Sequence, residues 1–210
     1  MPNPKPDRRT ERTRTALIAA FVDLMLTRGY TELSVEDIAE SANVGRSTFY
    51  LHFRNKDDIL QQSLTRPSRG LALIVGQNVA VERVVSLLEH FHSQRKLNRV
   101  FFVQPARALW VKCLSGLIEP RLALLLRANR SLRPIIALPM LATAIAEAQI
   151  ALVSNWLQGR NTARADAVAE ALVASTHASV SVLLRATAFV PLVIPDERLE
   201  GASSNVRQEK

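Results

Sequence analysis

Apolar residues recur three and four positions apart over long stretches of the chain, and strict alternation is weak. That spacing makes one face of an α-helix. The stripe Leu17, Ala20, Phe21, Leu24, Met25 predicts a helix over about residues 10–28, stopped by Gly29, a residue type that accepts the left-handed C′ conformation. A second helix is predicted over about 35–42. Ser34 stands at its N-cap, Asp37 three residues on, and Leu33 and Ile38 at the N′ and N4 positions of a hydrophobic staple. Asn43, which tolerates left-handed backbone, ends it. A third, short helix over about 46–51 starts at Gly45, with Val44 and Phe49 as a second staple. Asn55 then caps a fourth, whose first turn holds Asp57 and Asp58 where the helix dipole favours acids. Pro67 and Gly70 are expected to end that helix near Arg66 and to form a hinge.

The remainder reads as longer apolar helices, at about 81–92, 97–104, 106–128, 140–157 and 165–188. The third of these is expected to bend near Gly116 and Pro120, and 130–139 to be a loop. Residues 1–10 and 196–210 are polar and are expected to be flexible tails. The fold class expected is all-α: a three-helix N-terminal domain followed by a larger helical one.

Composition narrows the function. The 210 residues carry a formal net charge of +8, which suits an anionic partner without selecting one. The 48% of hydrophobic residues can fill a core. One cysteine, Cys113, allows no disulfide within the chain, and no cluster has metal-ligand spacing, so neither metal nor cofactor is called for. The start, MPNPKPDRRTERTRT, is polar and Pro-broken, and no apolar run of about 18 residues appears. A cytoplasmic protein that does not engage a membrane is expected.

Within VEDIAESANVGRSTFYLHFRNK the short turn between the second and third helices marks a helix-turn-helix, about residues 34–53. Ile38, Ala39, Val44, Phe49 and Phe53 would face inward. Arg46, Ser47, Thr48, Tyr50 and His52 would face outward, and each can donate a hydrogen bond. Arg46 can reach guanine edges or phosphate, Ser47 and Thr48 can touch base edges, and Tyr50 can donate to a phosphate. From Asn43 to Lys56 there are three basic residues and no acid.

The segment ALIAAFVDLMLTRGYTELSVEDIAESANVGRSTFYLHFRNKDDIL resembles the DNA-binding domain of the TetR (tetracycline-repressor-like) family of bacterial transcription regulators. Carrying the resemblance are Gly29-Tyr30, Ser34-Val35, Asp37-Ile38-Ala39, the run Thr48-Phe49-Tyr50, His52-Phe53, and Lys56 with Asp57 and Leu60. It covers about residues 11–71. It implies that Thr48 approaches bases, that Tyr50, His52 and Lys56 bind phosphates, and that Ser34 does so at the start of the second helix. Asn43 replaces the family's usual turn glycine, and Gly45 stands where a Ser or Thr cap is usual, so one phosphate contact is expected to be lost there.

Such a motif reads double-stranded DNA as a dimer on a near-palindromic operator, with half-sites about 34–36 Å apart. For the dimer contact, Leu141, Ile145, Ala148, Leu152 and Trp156 form one stripe, and Ala167, Ala171, Ala174 and Ala178 a face of small residues. Both could equally be intramolecular core; the resemblance implies a four-helix bundle, two helices from each chain. Residues 72–195 would then hold the dimer face and a pocket for a small-molecule effector. Candidate liners, placed by position, are His92, Arg95, Gln104, Arg107, Trp110, Cys113 and Gln149. Nine basic residues and one acid, Glu119, lie between Arg95 and Arg133, either facing an anionic effector or solvated. The reading that follows is a ligand-responsive repressor acting as a homodimer through a two-state switch carried by the fourth helix. Two alternatives stand beside it: a small helical enzyme with a basic pocket, and an architectural DNA binder without ligand.

Overall fold

The computed structural model describes residues 8–76, 79–93, 101–159 and 162–185. Its elements are α1 (Arg8–Arg28), α2 (Val35–Ser41), α3 (Arg46–His52), α4 (Lys56–Ala72), α5 (Val81–Ser93), α6 (Ala106–Ala128), α7 (Leu138–Leu157) and α8 (Ala165–Leu183). Among the described residues there is no strand, so the fold is all-α. Of the helix expected at 97–104, residues 97–100 lie outside the described residues and only Phe101 of the other four is helical; the tail at 196–210 lies outside them too. Of the tail expected at 1–10, Arg8 to Thr10 already belong to α1.

α1 packs on α2, and α2 on α3. α4 touches α1 at one end and lies along α5 and α6 for the rest. α6, α7 and α8 pack in sequence, and α5 closes the set against α8. One continuous core runs through all of it, from Leu17, Phe21 and Phe49 to Trp110, Leu141 and Leu172.

α4 does not end at Arg66. It continues through Pro67 and Gly70 to Ala72, so no hinge lies there. A proline inside a helix forgoes one backbone hydrogen bond and strains the preceding turn. Here the helix persists because Leu64, Ser68, Leu71 and Ala72 continue a buried face past the proline. A methyl group on Gly70 would come within 2.8 Å of Leu87 Cδ2, so glycine lets α4 and α5 cross closely. In the same way α6 runs unbroken past Gly116 and Pro120, with Leu114, Ile118 and Leu122 buried along it.

The far end of α4 is held by three other helices. Gln149 of α7 donates to Leu71 O at 3.4 Å, Arg121 of α6 donates to Val75 O at 3.0 Å, and His177 Nε2 of α8 lies 3.0 Å from Ile74 O. A helix C-terminus leaves carbonyls without partners and carries partial negative charge, which these groups answer. α7 is long and apolar enough to cross a membrane, yet 56% of that stretch is buried in this chain's own fold, as in a core helix.

Candidate nucleic-acid interface

The local signals at 34–53 build the expected turn. Asp37 N donates to Ser34 Oγ at 3.1 Å, and Ser34 N donates to Asp37 Oδ2 at 2.9 Å, a complete capping box. Arg28 closes on Asp37 at 2.9 Å and ties the end of α1 to the start of α2. Hydrogen bonds from the Ser34 side chain and backbone, then the Arg28 charge, hold the Asp37 carboxyl below its ordinary pKa. Asn43 takes φ 53, the left-handed conformation that the tight turn requires, and Val44 N donates to Ala39 O at 2.9 Å. Gly45 caps α3 without a side-chain bond, and a Cβ there would meet nothing nearer than Ser47 Oγ at 3.7 Å. The glycine is thus not forced by conformation; it leaves the first turn of α3 bare.

α3 turns Phe49 into the core, where its ring lies 5.6 Å from that of Phe53. Its other side is open. Arg46, Ser47 and Tyr50 are exposed, Thr48 and His52 half-buried. Arg46 Nη1 donates to Glu36 Oε1 at 2.7 Å, and its Cζ sits 5.7 Å from the Tyr50 ring centroid. Hydrogen bonding to the Tyr50 side chain and then the Glu36 charge raise the Arg46 pKa further. Two residues of this surface were not singled out by sequence. Leu51 is 83% exposed, because a position two along from the buried Phe49 points the opposite way. Glu36, in the first turn of α2, is the other. The signal for Leu51 was present in the spacing, whereas that for Glu36 lay in the α2–α3 contact.

Two expected phosphate contacts are engaged otherwise. Lys56 Nζ donates to Tyr30 O at 3.2 Å and Leu33 O at 3.1 Å, lies 3.5 Å from Thr31 O, and stands 4.7 Å over the Tyr30 ring. An ammonium has three N–H donors, and three carbonyls take them. Tyr30 Oη in turn donates to Asp57 Oδ1. Lys56 therefore clamps the α1–α2 turn to the start of α4. Ser34 spends its one hydroxyl proton on Asp37 Oδ2 and has none for a phosphate.

The residues expected to line an effector pocket do not converge. Trp110 is buried among Phe91, Phe101 and Phe102. Gln149 is buried, bonded to Leu71 O and to Thr176 Oγ1, the latter at 3.1 Å. Arg107 pairs with Glu147. His92 stacks on Trp156 in a surface groove, with 5.3 Å between ring centroids. Gln104 is exposed, Cys113 buried, and Arg95 outside the described residues. Nor does the basic run face one space: Lys112, Arg127, Arg130 and Arg133 are exposed, while Arg121 is half-buried on Val75 O.

The expected dimer stripe on α7 is divided. Leu141, Ile145 and Trp156 are buried in the chain's own core and cannot meet a partner. Ala148 is exposed and Leu152 half-buried. On α8 the small-residue face of Ala167, Ala171, Ala174 and Ala178 is exposed throughout, and Val182 continues it at 70% exposure.

Comparison with known proteins places the motif. Residues 17–62 match the family model for bacterial regulatory proteins of the tetR family. The HTH-type transcriptional regulator YxbF of Bacillus subtilis, itself uncharacterized, is 41% identical over 61 residues, which are 29% of this chain and only 16% of that protein. The HTH-type transcriptional repressor BepR of Brucella suis is 25% identical over 154 residues, 69% of this chain and 70% of that protein. A solved TetR transcriptional regulator from Streptococcus agalactiae superposes with a TM-score of 0.52 at 23% identity, over 81% of this chain and 96% of that one, a likeness of fold. Residues 17–62 thus match the DNA-binding segment of the tetR family, and the all-helical fold is similar to that of a solved TetR regulator.

Proposed function

We propose that this protein is a cytoplasmic transcription repressor that binds a near-palindromic operator as a homodimer and releases it when a small-molecule effector binds. The observation that carries this reading is the α2–α3 pair. Its inner face is a closed apolar core, while α3 presents Arg46, Ser47, Tyr50 and Leu51 outward without cover. A short helix of that kind fits the major groove, where donors meet base edges and an apolar tip can meet a thymine methyl. Thr48 and His52, half-buried on the flanks, complete the contact surface. Residues 11–71 would form the DNA-binding unit and 72–195 the effector and dimer unit, with α4 shared between them.

Dimerisation is supported by the exposed face of α8, Ala171, Ala174 and Ala178, together with Ala144 and Ala148 of α7. Small residues let helices of two copies approach closely. Effector binding is supported by polar atoms left without partners inside the core: Ser68 Oγ, Trp110 Nε1 and Gln149 Oε1. Buried polar groups are costly unless hydrogen-bonded, and a ligand with matching groups would satisfy them. Repression is supported by the name of the Brucella relative.

Selection of genomic DNA fragments with the purified protein at about 150 mM salt, where weak electrostatic binding is suppressed, tests the reading. Enrichment of a few near-palindromes is expected, with loss of binding in Tyr50→Ala. Equal recovery of all fragments would instead support an architectural binder, and recovery of none would reject the DNA reading.

A further inference from the structure

Arg46 stands on the open side of α3, yet its guanidinium is not left to itself. Glu36, in the first turn of α2, takes Nη1 at 2.7 Å. Tyr50, one turn along α3, presents its ring 5.7 Å from Cζ. Arg46 and Glu36 keep 63% and 54% of their side-chain surface exposed, so the pair is no part of the core. Exposed ion pairs add little to stability. The effect of this one falls on what Arg46 can bind.

An unrestrained arginine on a surface pairs with any phosphate in reach. A carboxylate fixed at one edge of the guanidinium repels a phosphate that approaches the same cation. A guanine edge carries no net charge and meets no such penalty. With Nη1 given to Glu36, O6 and N7 of a guanine would take the remaining edge of the guanidinium, displacing its hydrogen bond to the Tyr50 side chain. The ring of Tyr50 steadies the guanidinium from another side, and a side chain already ordered loses less freedom on binding.

We propose that Arg46 reads a guanine in each half-site, and that Glu36 is the positioning residue that keeps it off the phosphates. This rests on α3 being a DNA-recognition helix.

The test takes the operator enriched from genomic DNA and replaces each base pair in turn. Binding of the full chain and of Arg46→Lys, Arg46→Ala and Glu36→Gln is then measured over a range of salt. The unaltered protein is expected to lose about ten- to a hundredfold in affinity when one G·C pair of a half-site is replaced. Arg46→Ala erases that dependence and Arg46→Lys weakens it. Lysine, a point charge without the planar fork, keeps its affinity for mixed-sequence DNA. Glu36→Gln, a change at an exposed position that leaves the fold intact, binds mixed-sequence DNA more tightly and loses part of the guanine preference. It also steepens the logarithmic salt dependence by about 1 per protomer, because the released arginine takes a phosphate. If Glu36→Gln leaves guanine preference and salt dependence unchanged, the role of Glu36 is overturned. If Arg46→Ala weakens binding to all sequences alike, Arg46 is a phosphate contact and the proposal fails. If the unaltered protein enriches no sequence at all, the DNA reading fails and takes this proposal with it.

Discussion

Replacing Lys56 by Met separates two roles for one residue. The structure gives the ammonium to the carbonyls of Tyr30 and Leu33, at 3.2 and 3.1 Å, with Thr31 O at 3.5 Å and the Tyr30 ring beneath. Hydrogen bonds to a charged group contribute about 1.5–3 kcal/mol each when well formed, and an exposed cation–π contact about 0.5–1 kcal/mol. Lys56 is half-buried, water can replace part of what is lost, and methionine retains the stem packing. A loss of about 2 kcal/mol is therefore expected, or about 4–8 °C in Tm for a chain of this size. Urea unfolding at one fixed protein concentration, followed by circular dichroism, reads it; the fixed concentration matters because the proposed dimerisation would contribute to apparent stability. Were Lys56 a phosphate contact instead, Lys56→Met would leave the urea midpoint in place. DNA affinity would then fall alike for all sequences, with the salt slope shallower by about 0.9 per protomer. That pattern would refute the clamp.

Other perturbations test other parts of the structure. Ala174→Glu places a charge on the exposed face of α8, and light scattering should show monomer in place of dimer with the helical spectrum unchanged; a dimer that persists would move the contact elsewhere. Asp37 has a folded-state pKa below its ordinary value of 3.8, so its contribution is full above that value and is lost as pH falls below it through the folded pKa. The acid limb of the stability curve should accordingly be shallower in Asp37→Asn, and an identical limb would show that the capping box does not survive in solution. At Asn43, with φ 53, substitution by Val should cost about 1–2 kcal/mol, whereas Gly should stay within about 0.5 kcal/mol of the original. Equal urea midpoints for the two variants would mean that the turn is not held left-handed.

The first three helices were legible because their signals are local. Ser34, Asp37, Asn43, Gly45 and the two staples act within a few residues of themselves, and the structure uses the capping box and the left-handed turn as the sequence implied. The course of α4 was not legible at Pro67. A proline's local cost is visible in sequence, but the buried face of Leu64, Leu71 and Ala72 that outweighs it appears only when α5 and α6 are in place. The stripe on α7 shows a related limit. Periodicity says that Leu141, Ile145 and Trp156 share an apolar face; it cannot say whether the cover comes from the same chain or from another. On the open face of α3, residue types named the donors, while the partners that restrain Arg46 and occupy Lys56 come from α2 and from the α1–α2 turn, distant in sequence from what they touch.

The continuity of α4 through Pro67 changes how the two ends of the molecule can communicate. Its 17 residues make a rod about 25 Å long. At one end Lys56 and Asp57 are fastened to Tyr30, beside the turn that carries α2 and α3. At the other, side chains of α6, α7 and α8 grip the carbonyls of Leu71, Ile74 and Val75. A jointed segment would absorb a disturbance at its middle; a stiff one passes it on. A tilt of about 5° imposed at the gripped end sweeps the other by about 2 Å, enough to lift a helix out of register with a groove. The proline would then lie within a lever that turns where Gly70 crosses closely over Leu87.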